Sequence, residues 1–133
     1  MKIRTMLAGA AAVVALVVGV ASPASAAHKD GWCDSGELCL FYNDGLGGAW
    51  IDFYYGDNDH RNDRFIGGPG KSGYLQIVAD HAQSAFNRDP NSYAVITSLL
   101  ACAIGAFDVL EPNEINSRLD ATWNNNWSNC WEF

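Results

Sequence analysis

The chain has 133 residues, with 8 basic and 15 acidic side chains and a formal net charge of −7. That acidity repels phosphate backbones and anionic lipid surfaces, which argues against nucleic-acid binding and against a peripheral membrane role. The length supports one domain with one modest hydrophobic core.

Lys2 and Arg4 precede an uncharged run from Met6 to Val20, and Ala24-Ser25-Ala26 follows as a small-residue cleavage site. This order reads as a secretory leader rather than a membrane span, which needs about 20 apolar residues. The prediction is a leader over 1–26 and a single mature domain over 27–133. The leader holds two bases and no acid, so the mature charge is −9. Export would place Cys33, Cys39, Cys102 and Cys130 in an oxidising compartment. Four cysteines allow three pairings. Proximity favours Cys33–Cys39, leaving Cys102–Cys130 as a longer staple. The absence of any C-x-x-C pair and the scatter of the three histidines argue against zinc.

Leu38 to Tyr42 reads as a buried strand, ended by the turn signal Asn43-Asp44-Gly45. Ala49 to Tyr55 resumes as an aromatic-rich strand. Asp57 to Asp63 resembles a calcium loop, but Asn62 and Gly68 stand where an EF-hand needs Gly and Glu, so it reads as a solvated acidic loop. Phe65-Ile66 begins a short element that Gly67 to Gly70 ends, and Tyr74 to Val78 is a further short strand. Breaks at Asp89-Pro90-Asn91-Ser92 and Glu111-Pro112-Asn113 flank the apolar stretch Tyr93 to Phe107, with a helix over Thr97 to Ile104 as an alternative to strand. A weak repeat aligns Ala79–Asn87 with Asn116–Asn124, 37 residues apart. Short strands between Gly, Pro and Asn turns predict an all-β sandwich of two Greek-key units, stapled by disulfides.

The Cys33…Cys39-Leu40-Phe41-Tyr42 opening, the Gly47-Gly48-Ala49-Trp50 turn and the two aromatic-Asn segments resemble the Streptomyces-type metalloproteinase inhibitors. These are secreted peptidase inhibitors with a βγ-crystallin-like fold. The resemblance implies a protease partner, an inhibitor that is not itself an enzyme, and no cofactor of its own. The calcium motif of that fold is degenerate in both segments. Asp80, Ser84, Asn116 and Asp120 are the remaining oxygen donors, and they predict a weakened or lost site.

The resemblance also directs attention to the segment Leu99 to Ile104. Thermolysin-like proteases favour an apolar residue just after the scissile bond. In the family, the reactive bond is associated with a cysteine followed by a small or branched apolar residue. Cys102-Ala103 corresponds, with Ile104 as a neighbouring anchor.

No Gly-x-Ser-x-Gly and no His-Glu-x-x-His occurs. Trp123, Trp127 and Trp131 recur every four residues among asparagines, a pattern open to core packing or to a sugar-stacking platform. The expectation is a secreted, extracellular peptidase inhibitor, for which nothing demands more than a monomer. Its alternatives are a calcium-binding or structural βγ-crystallin-like protein, and a cell-wall-directed or toxin-like one on the same fold.

Overall fold

A computed structural model describes residues 27–132, and the expected leader, residues 1–26, lies outside them. Seven strands form: β1 Leu38–Asn43, β2 Gly47–Phe53, β3 Ser84–Asn87, β4 Tyr93–Thr97, β5 Phe107–Leu110, β6 Ile115–Asn116 and β7 Ser128–Glu132. They make two antiparallel sheets, one ordered β2-β1-β3-β6 and the other β5-β4-β7.

The strand orders reveal two related halves. In the first, β1 lies between β2 and β3; in the second, β4 lies between β5 and β7. Each half lends its remaining extended segment to the other's sheet. β6 adds to the first sheet beside β3, and Asp57 bridges Asn129 of β7 on the second. This is the Greek-key sandwich that the turn spacing implied.

Residue alternation places the core between the sheets. Leu38 and Leu40 of β1, and Ile51 and Phe53 of β2, point inward and are buried. They meet Ala94, Ile96 and Leu110 of the second sheet, with Phe65, Val78 and Leu119 closing the sides. Period-two patterning is what allows one face of each strand to leave water.

The halves share a structural device at the start of their last strands. The Ser84 hydroxyl donates to the Asn43 carbonyl and accepts from the Leu46 amide. The Ser128 hydroxyl donates to the Leu99 carbonyl and accepts from the Cys102 amide. Ser84 pairs with Phe41 and Ser128 with Thr97, so the two hydroxyls tie down corresponding turns. The backbone agrees: Gly45 and Leu46 are left-handed in the first turn, and Ala101 and Cys102 in the second. The closing segments of the two halves therefore correspond at a spacing of 44 residues, not 37, while the turns they tie down lie 56 residues apart. Asn116–Asn124 is not the counterpart of Ala79–Asn87. Residues 123–128 correspond to 79–84, and Asp80 and Asn124 share a left-handed backbone.

Three local expectations differ from the structure. Tyr74–Val78 is a turn with one isolated bridge, Arg64 to Ile77, and Leu75 is left-handed. Thr97–Ile104 holds a single 3-10 turn, Leu100–Cys102, rather than a helix. The acidic loop 57–63 is solvated only in part, with Asn58, Arg61 and Asn62 exposed. Asp63 and His60 are buried there: Lys29 reaches across to bind both Asp57 and Asp63 at 2.6 Å, and His60 stacks on Phe53 and bonds Asn129.

Candidate functional site

The turn that Ser128 ties down opens into a different chain path from its counterpart. In the first half, strand pairing resumes at Gly47, directly after the left-handed Leu46. In the second half, pairing resumes only at Phe107. Ala103 to Ala106 thus stand outside the ladder, at one end of the second sheet.

The base of this loop is tightly held. Cys102 is disulfide-bonded to Cys130 of β7, and Cys33 to Cys39 of β1. The Thr97 hydroxyl accepts from the Leu99 amide at 2.9 Å and lies 3.2 Å from the carbonyls of both Leu99 and Ala103. The Ala101 amide donates to the Asn58 carbonyl at 3.0 Å, and the Ala103 amide to the Leu100 carbonyl at 3.1 Å. On the return side, the Ser98 amide donates to the Ala106 carbonyl, and the Ala106 amide to the Ser98 hydroxyl. Left-handed φ at the non-glycine residues Ala101 and Cys102 costs about 1–3 kcal/mol each, which the surrounding bonds must sustain.

The tip is the reverse of its base. Ala103 is extended, with φ −63° and ψ 153°, and Ile104 is 97% exposed. A groove of about 430 Å³ lies alongside, lined by Tyr93, Val95, Phe107 and Val109 on the outer face of the second sheet, with Cys102 to Gly105 as its wall and Glu132 also in its lining. No residue from Tyr93 to Phe107 is charged. The loop itself is therefore an uncharged, apolar prominence on an acidic protein. The sequence-predicted reactive residues Cys102, Ala103 and Ile104 are adjacent here, but they differ in role: the first is anchored, the last free.

Three of the four calcium candidates already spend a side-chain oxygen on a protein hydrogen bond. Asp80 accepts from the Trp127 indole at 2.6 Å, and Ser84 is committed to the β1–β2 turn. Asn116 lies on β6, accepting from the Arg118 amide, while the Asp120 amide donates to Asp108. Among the described residues, no group of three His, Cys, Asp or Glu side chains could hold a metal ion. The tryptophans do not make one platform either. Trp123 donates to Asp44, Trp127 to Asp80 and Trp131 to the Tyr54 carbonyl. Arg118 and Arg61 cover the rings of Trp123 and Trp127.

Sequence reasoning missed Thr97, Ser128 and Asn58, which hold the loop. Their signal was available in part, since aligning the closing segments 44 residues apart superposes Ser84 on Ser128.

Two solved structures share the architecture. One, described as "Evolution of the eye lens beta-gamma-crystallin domain fold", matches with a TM-score of 0.56 at 18% identity, over 84% of this chain and 93% of that one. The other, the N-terminal domain of protein S, matches with a TM-score of 0.52 at 20% identity, over 72% and 94%. At these identities they show the fold alone, a βγ-crystallin-like sandwich. No curated protein matches the chain in sequence. A family model does: residues 26–99 match that of peptidase inhibitor family I36, ending just before the Leu100–Cys102 turn.

Proposed function

The chain belongs to peptidase inhibitor family I36, and we propose that it blocks an extracellular protease, a metalloproteinase foremost, by presenting loop 99–105 in the enzyme's cleft. Two disulfides and membership of an inhibitor family fit an extracellular location. On this reading, residues 27–133 are the single mature domain, left once the leader 1–26 is removed.

One observation carries the proposal: Ile104 stands fully in solvent at the tip of a loop whose base, at Leu99 and Cys102, is bonded down. A segment fixed in advance loses little conformational entropy on docking, so more of its contact energy appears as affinity. The groove beside the loop extends the contact surface toward the roughly 800 Å² per partner of a standard interface. The protein acts by binding, and any catalytic metal belongs to the target.

Calcium is not needed for this action. The Trp127 indole already engages the Asp80 carboxylate, and the Arg118 guanidinium and Trp123 indole engage Asp44. Equal inhibition and equal melting temperature in calcium and in chelator are expected. A calcium-dependent rise in melting temperature of several degrees would favour the calcium-binding alternative instead.

The direct test is titration of thermolysin-like, subtilisin-like and trypsin-like proteases with purified protein. Stoichiometric loss of activity is expected for at least one, with the thermolysin-like enzyme the first choice. Full activity of all three at micromolar protein would sink the proposal.

A further inference from the structure

The geometry points to Ala103–Ile104, not Cys102–Ala103, as the bond a target protease addresses, with Ile104 as the specificity-determining side chain. The inference rests on the inhibitor reading and concerns where the enzyme's register falls.

Protease clefts take up extended chain. Cys102 has φ +52°, a left-handed conformation that turns the chain aside. Its amide is held by the Ser128 hydroxyl and its sulfur by Cys130. A residue so placed cannot lie in a cleft on the acyl side of the cut bond without undoing the turn. Ala103 is already extended at φ −63° and ψ 153°. Stepping the register forward by one residue puts Ala103 on the acyl side and Ile104 just after the bond. There its β-branched apolar side chain, 97% exposed, is free to enter a pocket. That is the position at which thermolysin-like enzymes select apolar residues. Ala103, in Ile104's place, would offer such a pocket a single methyl group.

The same register accounts for slow turnover. The Ala103 carbonyl, which would be the one attacked, lies 3.2 Å from the Thr97 hydroxyl. That contact orients the oxygen toward the sheet rather than toward an enzyme's electrophile. Hydrolysis at this bond consumes one water, breaks the C–N bond, and leaves a carboxylate on Ala103 and an amine on Ile104. Both new ends stay close. Ala103 follows the disulfide-bound Cys102, and Ile104 is two residues from Ala106, which is bonded to Ser98 through both backbone groups. Ends held together favour re-formation of the bond and retention of the nicked inhibitor.

The test uses the mature protein with a thermolysin-like metalloprotease at equal concentrations. Residual activity is followed, and the inhibitor is reduced and its new N-terminus sequenced. The expected new N-terminus is Ile104. Ile104→Asp should weaken inhibition by about 30-fold or more, as loss of an interface hot spot does, while Ile104→Leu retains it. Thr97→Val should speed the nick at the same bond. Because Ile104 is exposed, an unchanged melting temperature in both Ile104 variants shows that folding is unaffected. A new N-terminus at Ala103, or full inhibition by Ile104→Asp, overturns the register while leaving the inhibitor reading intact. Failure of the wild-type protein against all three protease classes removes the inhibitor reading, and the register with it.

Discussion

Glu37 is fully buried at the mouth of the Cys33–Cys39 loop. One carboxyl oxygen accepts from the Asp34 amide at 2.6 Å, and the other has no partner among the described residues. Burial pushes its pKa up to about 7, against the Asp34 hydrogen bond, and the nearby Asp52 and Asp30 add to the rise. The folded chain thus holds a proton that the unfolded chain releases near pH 4.5, so stability falls as pH rises between those values and then levels. Glu37→Gln removes this slope. Its advantage over wild type should be absent at pH 4, grow toward pH 7, and reach about 1–2 kcal/mol above it. Urea denaturation at pH 4, 6 and 8 measures it, and a constant gap would show that Glu37 is not the titrating group. Lys29 poses the opposite case. Its ammonium bridges Asp57 and Asp63, the latter buried. Lys29→Met leaves two partly desolvated carboxylates without their cation, at a cost of about 2–4 kcal/mol near neutral pH. The cost should narrow as acid protonates the pair. Neither residue was legible from sequence. A glutamate in a disulfide loop and a lysine near the leader look like ordinary surface charges until the topology places them.

Ser128 and Ser84 make a natural pair of probes at the level of turns and strands. Each hydroxyl bridges a carbonyl and an amide of its own hairpin turn. Replacing either with Ala removes two hydrogen bonds and should cost about 1–2 kcal/mol by chemical denaturation. Only one of the turns bears the candidate loop. Ser128→Ala should therefore also weaken protease inhibition and accelerate nicking, while Ser84→Ala leaves both unchanged. Equal effects on inhibition would show that the loop's firmness plays no part in it. Much of the element pattern was readable in advance. Leu38–Tyr42 and the Asn43-Asp44-Gly45 turn follow from apolar content and the ease of positive φ, and β1 and β2 appear where they were expected. The repeat was misaligned because Phe86-Asn87 was matched to Trp123-Asn124 on residue type. The structure instead matches the serines, a shared hydrogen-bonding task that composition does not display. Tyr74–Val78 failed for a related reason. Leu75 takes a left-handed backbone that breaks any strand there, and Leu75 and Ile77 are exposed while Val78 is buried, a mix that apolar content does not reveal. The reactive segment was legible as apolar and uncharged, but not as the one part of its hairpin left outside the ladder.

Across the whole molecule, the exchanged strands make the two halves depend on each other. β3 is completed at its outer side by β6, which comes from the second half. Leu38, Leu40, Ile51 and Phe53 are covered by Ala94, Ile96, Leu110 and Leu119, also from the second half. Neither disulfide joins the halves, since Cys33–Cys39 lies within the first and Cys102–Cys130 within the second. Cohesion therefore rests on the shared core and on exchanged backbone pairing, both lost together when the sheets part. Thermal unfolding should be one transition, with tryptophan fluorescence and far-ultraviolet circular dichroism coinciding. A fragment spanning 27–92 should not fold alone, because half of its core partners are absent. Cys102→Ala with Cys130→Ala should lower the midpoint, by about 2–4 kcal/mol in stability, without splitting the transition. Two separated transitions in either protein, or a folded fragment, would mean that the halves are autonomous. The candidate loop would then be carried by a module that needs no help from the first sheet, and inhibition should survive conditions that melt the first half alone.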